Sequence, residues 1–252
     1  MEKGYVKGFE IDQNHSIHIY NGSLTEVEAD ILVSSDDNYL SAGGGVSYAL
    51  ARTAGSDVRR ERAKVVQDNR PALGDVVRTS AGALPCRYLY HAITIDFDRH
   101  SYMDEAILRR LIARLLEQAT SDGATSIGMP ALGTGLADFD LGRAAEVMVD
   151  ELLTRLVETP VPKVVLALIA DDAEQLFYEQ LFRAKGERLS VMALRCHEER
   201  PELSIRPEHS RDERTSEAAP GETVEQIPNL IDQVRTRFEQ PRWVVWGVVH
   251  QW

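Results

Sequence analysis

Hydrophobic and polar positions along this chain change period many times, and each change marks a new element. Seven short apolar or alternating runs predict strands: Tyr5 to Ile11, Ser16 to Tyr20, Ala29 to Ser34, Asp75 to Ser80, Tyr88 to Thr94, Ser126 to Met129 and Lys163 to Ile169. Between several of them the apolar residues recur at helical spacing. Met103 to Ser121 puts Ile107, Leu108, Leu111, Ile112, Leu115 and Leu116 on one face. Val46 to Ala54, Val58 to Asp68, Ala144 to Val157 and Ala173 to Phe182 read as helices in the same way, and Glu187 to Leu194 as one more strand or an extension. Strands alternating with helices predict an α/β domain, a largely parallel sheet with helices on both faces.

The character of the chain shifts after Cys196. Residues 197–222 are rich in Glu, Arg, Ser and Pro and read as a polar linker, because they offer too little apolar surface to order themselves. Residues 223–252 turn amphipathic again at Val224, Ile227, Leu230, Ile231, Val234 and Phe238 and end in a Trp-rich apolar run, Trp243 to Trp252. That end reads as a strand docked back on the domain, the start of a second domain, or a segment that binds a protein partner. Ten residues are too few to span a bilayer, which takes about 20.

Two loops carry the candidate chemistry. Asp36-Asp37 at the end of a buried strand leads into Gly43-Gly44-Gly45-Val46-Ser47 and a helix. Pro130-Ala131-Leu132 leads into Gly133-Thr134-Gly135-Leu136-Ala137 before a second helical run. Glycines admit close approach of a ligand to the backbone, and helix N-termini favour anions. Both loops follow parallel strands, so they belong on the ligand-binding edge of an α/β sheet, where the pair can hold a diphosphate.

With these loops in place the chain resembles the macrodomains, which bind ADP-ribose and related nucleotides. The resemblance runs over roughly residues 16 to 184 and includes Gly22-Ser23-Leu24-Thr25, Asp30-Ile31-Leu32-Val33, Gly74-Asp75-Val76-Val77, Tyr88-Leu89-Tyr90-His91 and both glycine loops. It implies a three-layer α/β/α fold with a mixed, mostly parallel central sheet over residues 1–196. It also implies that Ser23 stands where the family usually has an adenine-binding Asp, with Leu24 beneath the base. Ala170 replaces an aromatic that often stacks on adenine, leaving Asp171 as the expected adenine or ribose contact. Where hydrolytic members have an Asn-Ala-Ala-Asn run, this chain has Ser34-Ser35-Asp36-Asp37, with Ser47 and Ala137 as further departures.

Those departures leave three readings: a binding or sensor module, an ADP-ribosyl hydrolase, or a structural domain with a vestigial pocket. In the hydrolase reading Asp37 or Asp138 activates water or attacks C1″ of the distal ribose. The competing reading makes Asp36 and Asp37 caps of the glycine loop, and Asp138 and Asp140 N-caps of the helix that follows. His91 reads as structural.

Charge and composition narrow the partners. With 40 acidic and 28 basic side chains the net charge is −12, which argues against nucleic acid or an anionic membrane as partner. A small diphosphate remains compatible, because loop N–H groups need no side-chain charge. Cys86 and Cys196 stand far apart, His15 and His18 point to opposite faces of a strand, and neither a metal nor a cofactor is assigned. A charged N-terminus without an apolar segment suggests no signal peptide, so the cytoplasm is the expected location.

Overall fold

The computed structural model describes residues 6–169 and 171–196, with side chains through residue 184. Eight strands form one sheet: β1 Val6–Glu10, β2 Ser16–Asn21, β3 Ile31–Asp37, β4 Val76–Ser80, β5 Tyr88–Asp96, β6 Ser101–Tyr102, β7 Ser126–Met129 and β8 Lys163–Leu168. Among the described residues five α-helices accompany them: α1 Gly45–Ala54, α2 Ser56–Asp68, α3 Glu105–Ser121, α4 Leu141–Arg155 and α5 Asp171–Cys196. The strand order is β1-β2-β8-β7-β3-β5-β4, with β6 added to β5. The inner pairs β2/β8, β8/β7, β7/β3 and β3/β5 are parallel, and β1/β2, β4/β5 and β5/β6 are antiparallel. The sheet is therefore mixed and mostly parallel.

Alternation along the central strands splits the core into two layers. Ile31 and Val33 of β3 join one cluster with Leu108, Leu111 and Ile112 of α3, Met148 and Leu152 of α4, and Phe177 of α5. Leu32, between them, joins the other cluster with Leu50 and Ala54 of α1 and Val58 of α2. A strand buried on both faces reads as a continuous apolar run, which is why Ile31-Leu32-Val33 shows no polar alternation. Edge strand β1 instead leaves Val6 exposed, while Phe9 packs edge-on against Tyr178 of α5 with ring centroids 5.6 Å apart.

Of the two readings of Glu187 to Leu194 the extension holds and the strand does not, because α5 continues through it to Cys196. The short strand β6 falls outside every predicted run; two residues are too few to show a period. The linker over 197–222 and the Trp-rich segment over 223–252 lie outside the described residues. Among the described residues no helix is long and apolar enough to cross a membrane.

One close contact fixes the end of α1. Gly82, just beyond β4, has φ +59°, and a Cβ placed there would lie 1.9 Å from the Ala54 carbonyl oxygen. The same carbonyl accepts the Ala83 N–H at 3.2 Å. Gly82→Ala is therefore expected to lower stability by roughly 1–3 kcal/mol, read as a fall in the urea midpoint at unchanged slope.

Candidate functional site

Parallel pairing brings the C-terminal ends of β3, β5, β7 and β8 to one edge of the sheet, and a cavity of about 590 Å³ opens there. Asp36 and Asp37 enter its wall from β3, and Thr94 and Ile95 from β5. Pro130 and Ala131 follow β7, and Ala167, Leu168 and Ile169 come from the end of β8. The two glycine loops face each other across it, Gly43 through Ser47 on one side and Thr134 through Ala137 on the other. Leu136, 67% exposed, leans toward the first loop; its Cδ1 would stand 3.8 Å from a Cβ on Gly43 or Gly44.

The two helix starts differ. Gly44 is the N-cap of α1 and supplies no side-chain cap, so this helix end carries its partial positive charge toward the cavity edge. At α4 the Asp140 carboxylate accepts the Arg143 N–H at 2.7 Å and closes the helix end. The second loop thus offers a backbone surface without an open helix N-terminus.

The first loop is bent through unfavourable backbone. Leu40 and Ala42 have φ of 49° and 56°, in the left-handed region that side-chain-bearing residues avoid, and Gly45 has φ 54°. Asp37 holds this shape. Its Oδ1 accepts the Tyr39 N–H at 2.8 Å and the Ser41 N–H at 3.3 Å, and its Oδ2 accepts the Ser41 hydroxyl.

Asp36 plays a different part from the loop cap expected of it. Alternation along β3 turns it to the α1/α2 side, where its side chain is fully buried. Its Oδ1 accepts the Ser47 hydroxyl at 2.8 Å and lies 3.3 Å from Arg62 Nη2; its Oδ2 lies 2.7 Å from His91 Nδ1. His91 Nε2 in turn lies 3.0 Å from the Thr79 hydroxyl, and Arg62 also donates to the Leu40 carbonyl. One carboxylate therefore ties α1, α2 and β5 to β3 directly beneath the glycine loop. A bulge helps to set it. Asp36 pairs with Ile93 but Asp37 pairs with Ile95, leaving Thr94 as the extra residue, and its hydroxyl donates to the Asp36 carbonyl at 3.3 Å.

The remaining expected residues divide clearly. Leu24 lines the cavity, whereas Ser23 caps the 3-10 turn Leu24–Glu26 and bonds the Thr25 hydroxyl at 2.7 Å. Gly133, with φ +77°, shapes the second loop from outside the lining. Asp171 is exposed and stands 3.5 Å from Asn21 Nδ2; its neighbour Asp172 lines the cavity instead. Ala170 lies outside the described residues. Asp138 is exposed with φ 53°, its N–H bonded to the Gly135 carbonyl, and it is not part of the cavity wall. Asp37 and Asp138 therefore do not face one another across the cavity. Among the lining residues that sequence reasoning missed are Ser35, Thr94, Ile95 and Asp172, with Ala167 to Ile169 at the end of β8. The ends of β5 and β8 were available as signals, since every parallel strand delivers its last residues to this edge.

Burial alone would raise the Asp36 pKa, but the hydrogen bond from His91 and the charges of His91 and Arg62 outweigh it and hold the carboxyl below its ordinary value of 3.8. Near that pH the unfolded chain therefore binds more protons at this group than the folded one. The contribution to stability is complete above the unfolded value and is lost as pH falls through the folded value. Asp36→Asn is expected to remove this part of the acid dependence. It should also lower stability at neutral pH by on the order of 3 kcal/mol, because Arg62 is left buried without its counter-charge. Urea unfolding of both chains at neutral and acid pH measures each effect.

Comparison with known proteins matches this geometry. A family model described as "Macro domain" matches residues 33–148, a span that runs from β3 through both glycine loops into α4. An uncharacterized protein of Saccharolobus solfataricus is 33% identical over 162 residues, covering 64% of this chain and 89% of that protein. The O-acetyl-ADP-ribose deacetylase of Escherichia fergusonii is 27% identical over 172 residues, covering 68% of this chain and 97% of the relative. Among solved structures, the Oceanobacillus iheyensis macrodomain with ADP shares the fold at a TM-score of 0.68 and 20% identity, over 74% of this chain and all of that one. A Trypanosoma brucei macrodomain in complex with ADP-ribose aligns at a TM-score of 0.57 and 23% identity, over 65% and 68% of the two chains. With the family model laid across both loops and a one-third-identical relative matched over nearly its full length, this chain belongs to the macrodomain family.

Proposed function

We propose that the chain binds ADP-ribose, or a nucleotide derived from it, in the cavity between the two glycine loops. The observation that carries this reading is the uncapped start of α1, with Gly43 to Gly45 in front of it, facing Thr134 and Gly135 across the cavity. A diphosphate fits that gap, accepting backbone N–H groups and lying at the positive end of a helix. The apolar side formed by Leu24, Ala167, Leu168 and Ile169 suits an adenine, with the Asp172 carboxylate as an acceptor for its amino group. The distal ribose then belongs near Asp37, Thr94 and Ile95. Two relatives support the choice of ligand by name: the Escherichia fergusonii protein as a deacetylase of O-acetyl-ADP-ribose, and the Trypanosoma brucei protein by its complex with ADP-ribose.

Recognition rather than hydrolysis is the better-supported activity. Both oxygens of Asp37 are engaged by the loop they brace, and Asp138 stands outside the cavity wall, so among the described residues these two do not form a facing carboxylate pair for activating water. The deacetylase relatives favour the second reading, cleavage at the distal ribose with Asp37 as the acting carboxylate. In the recognition reading the protein is a cytoplasmic sensor, with residues 223–252 as the segment that meets a partner.

Calorimetric titration is expected to give about micromolar affinity for ADP-ribose, clearly tighter than for AMP. A Cβ at Gly135 meets nothing within 4 Å, yet the position lines the cavity, so Gly135→Val should leave the melting temperature unchanged. The same variant should weaken ADP-ribose by about tenfold or more. Incubation with O-acetyl-ADP-ribose is expected to show binding without turnover. Turnover by the parent chain that disappears in Asp37→Ala, with binding retained, would establish the hydrolase instead.

A further inference from the structure

The side-chain charge lining the cavity between the glycine loops is of one sign. Among the described residues no lysine, arginine or histidine lines it, whereas Asp36, Asp37 and Asp172 do. Asp36 is met from behind by Arg62 and His91. Asp172 is exposed to water. Asp37 has neither kind of relief: it is 6% exposed and takes part in no ion pair among the described residues. Carboxylates this deeply buried are ordinarily paired with a cation.

Bracing the first loop does not account for that charge. Asp37 Oδ1 accepts the Tyr39 and Ser41 N–H groups at 2.8 and 3.3 Å, and Oδ2 accepts the Ser41 hydroxyl. The carbonyl oxygen of an asparagine would accept the same two N–H groups, and its amide would donate to the Ser41 oxygen instead. The negative charge is therefore surplus to the loop, in the wall of a cavity that is to receive a diphosphate. Like charges so placed weaken the binding of a ligand that brings only anionic groups. Three hydrogen bonds also leave unused part of a carboxylate's acceptor capacity, which is about four sites.

We infer that the ligand brings a positive charge of its own, on the anomeric carbon of the distal ribose, and that Asp37 selects for it. On the ADP-ribose reading of the cavity, on which this assignment rests, the group attached there is a cationic nitrogen substituent, a pyridinium or a guanidinium, in preference to a neutral ester. Asp37 pairs with Ile95 across the β3/β5 ladder, and both line the cavity. A carboxylate beside an apolar wall suits a flat, weakly hydrated cation, which presents an apolar face and a delocalised charge together. The other polar side chains at this end, Ser35 and Thr94, are neutral hydroxyls bonded to each other at 3.1 Å. The counter-charge for Asp37 therefore comes with the ligand.

The test compares NAD+ with NADH by calorimetric titration of the full chain in the presence of EDTA. The two nucleotides differ in the charge of the nicotinamide ring and hardly in its size. NAD+ is expected to bind at least about tenfold more tightly, and in Asp37→Asn the ratio should fall to about one. In the parent chain the Asp37 carboxyl carbon resonance should shift with NAD+ and stay in place with NADH, a readout that needs no substitution. ADP-ribosyl-arginine, titrated in parallel, identifies the source of the cation. Tighter binding than NAD+ assigns the cavity to a modified protein and weaker binding to a free nucleotide; both uphold selection for charge. NADH binding as tightly as NAD+, or a preference that survives Asp37→Asn, would overturn it. So would magnesium raising ADP-ribose affinity to that of NAD+, since the counter-charge would then be a metal ion. Failure of ADP-ribose to bind would overturn the reading of the cavity as well, whereas ADP-ribose bound with NAD+ no tighter than NADH overturns the charge selection alone.

Discussion

A negative charge buried beneath a glycine loop is the constraint on which the rest of the site depends. Asp36 has no water to solvate it, so it must be met by protein, and α1, α2 and β5 each contribute a partner in Ser47, Arg62 and His91. Each partner is also a positional restraint. Ser47 fixes the first turn of α1, and with it the orientation of the helix start that faces the cavity. Arg62 fixes the Leu40 carbonyl in a stretch whose φ angles would otherwise relax. A hydrophobic residue at 36 would not dictate where these three elements end. The charge specifies geometry more than it adds stability.

The two glycine loops look equivalent as strings of residues and are not equivalent as sites. The first opens directly into a helix whose initial turn has no side-chain cap. The second is separated from its helix by Ala137, Asp138 and Phe139, and Asp140 then occupies the helix end. A diphosphate between them would meet a dipole on one side and only local N–H groups on the other. This asymmetry suits a ligand whose charge is concentrated toward the first loop.

Much of the fold was legible in the sequence because it rests on periodicity. Ile31-Leu32-Val33 and the Leu108–Leu116 face of α3 report burial directly, and the two glycine loops mark where the backbone must come close to something. What escaped was whatever depends on side-chain direction at strand ends. Asp36 and Asp37 are adjacent and chemically identical, so the sequence offers no way to assign one to the loop and the other to a buried ion pair; only the alternation of β3 against α2 decides it. Asp138 was drawn toward the site by its place after a glycine loop, yet a left-handed backbone at that residue leaves it outside the cavity wall. Thr94 and Asp172 were passed over because their contribution comes from strand register and helix start, which no local motif records. Glu187 to Leu194 was open between a strand and an extension for a related reason, since a short run does not distinguish a strand from the continuation of a helix; α5 continues through it.

The extra residue at Thr94 also bears on how such a site can change over generations. Side-chain direction along a strand has a period of two, so the one-residue offset between β3 and β5 determines which face every later residue of β5 addresses. Substitutions at 36, 37 or 94 alter the chemistry of one position and leave the surroundings where they are. Loss or gain of a single residue there would turn the end of the strand over and exchange its inner and outer faces at once. The lineage is thus free to explore new side chains at this edge of the sheet while its length is held fixed, and diversification of the ligand should proceed by replacement and not by insertion.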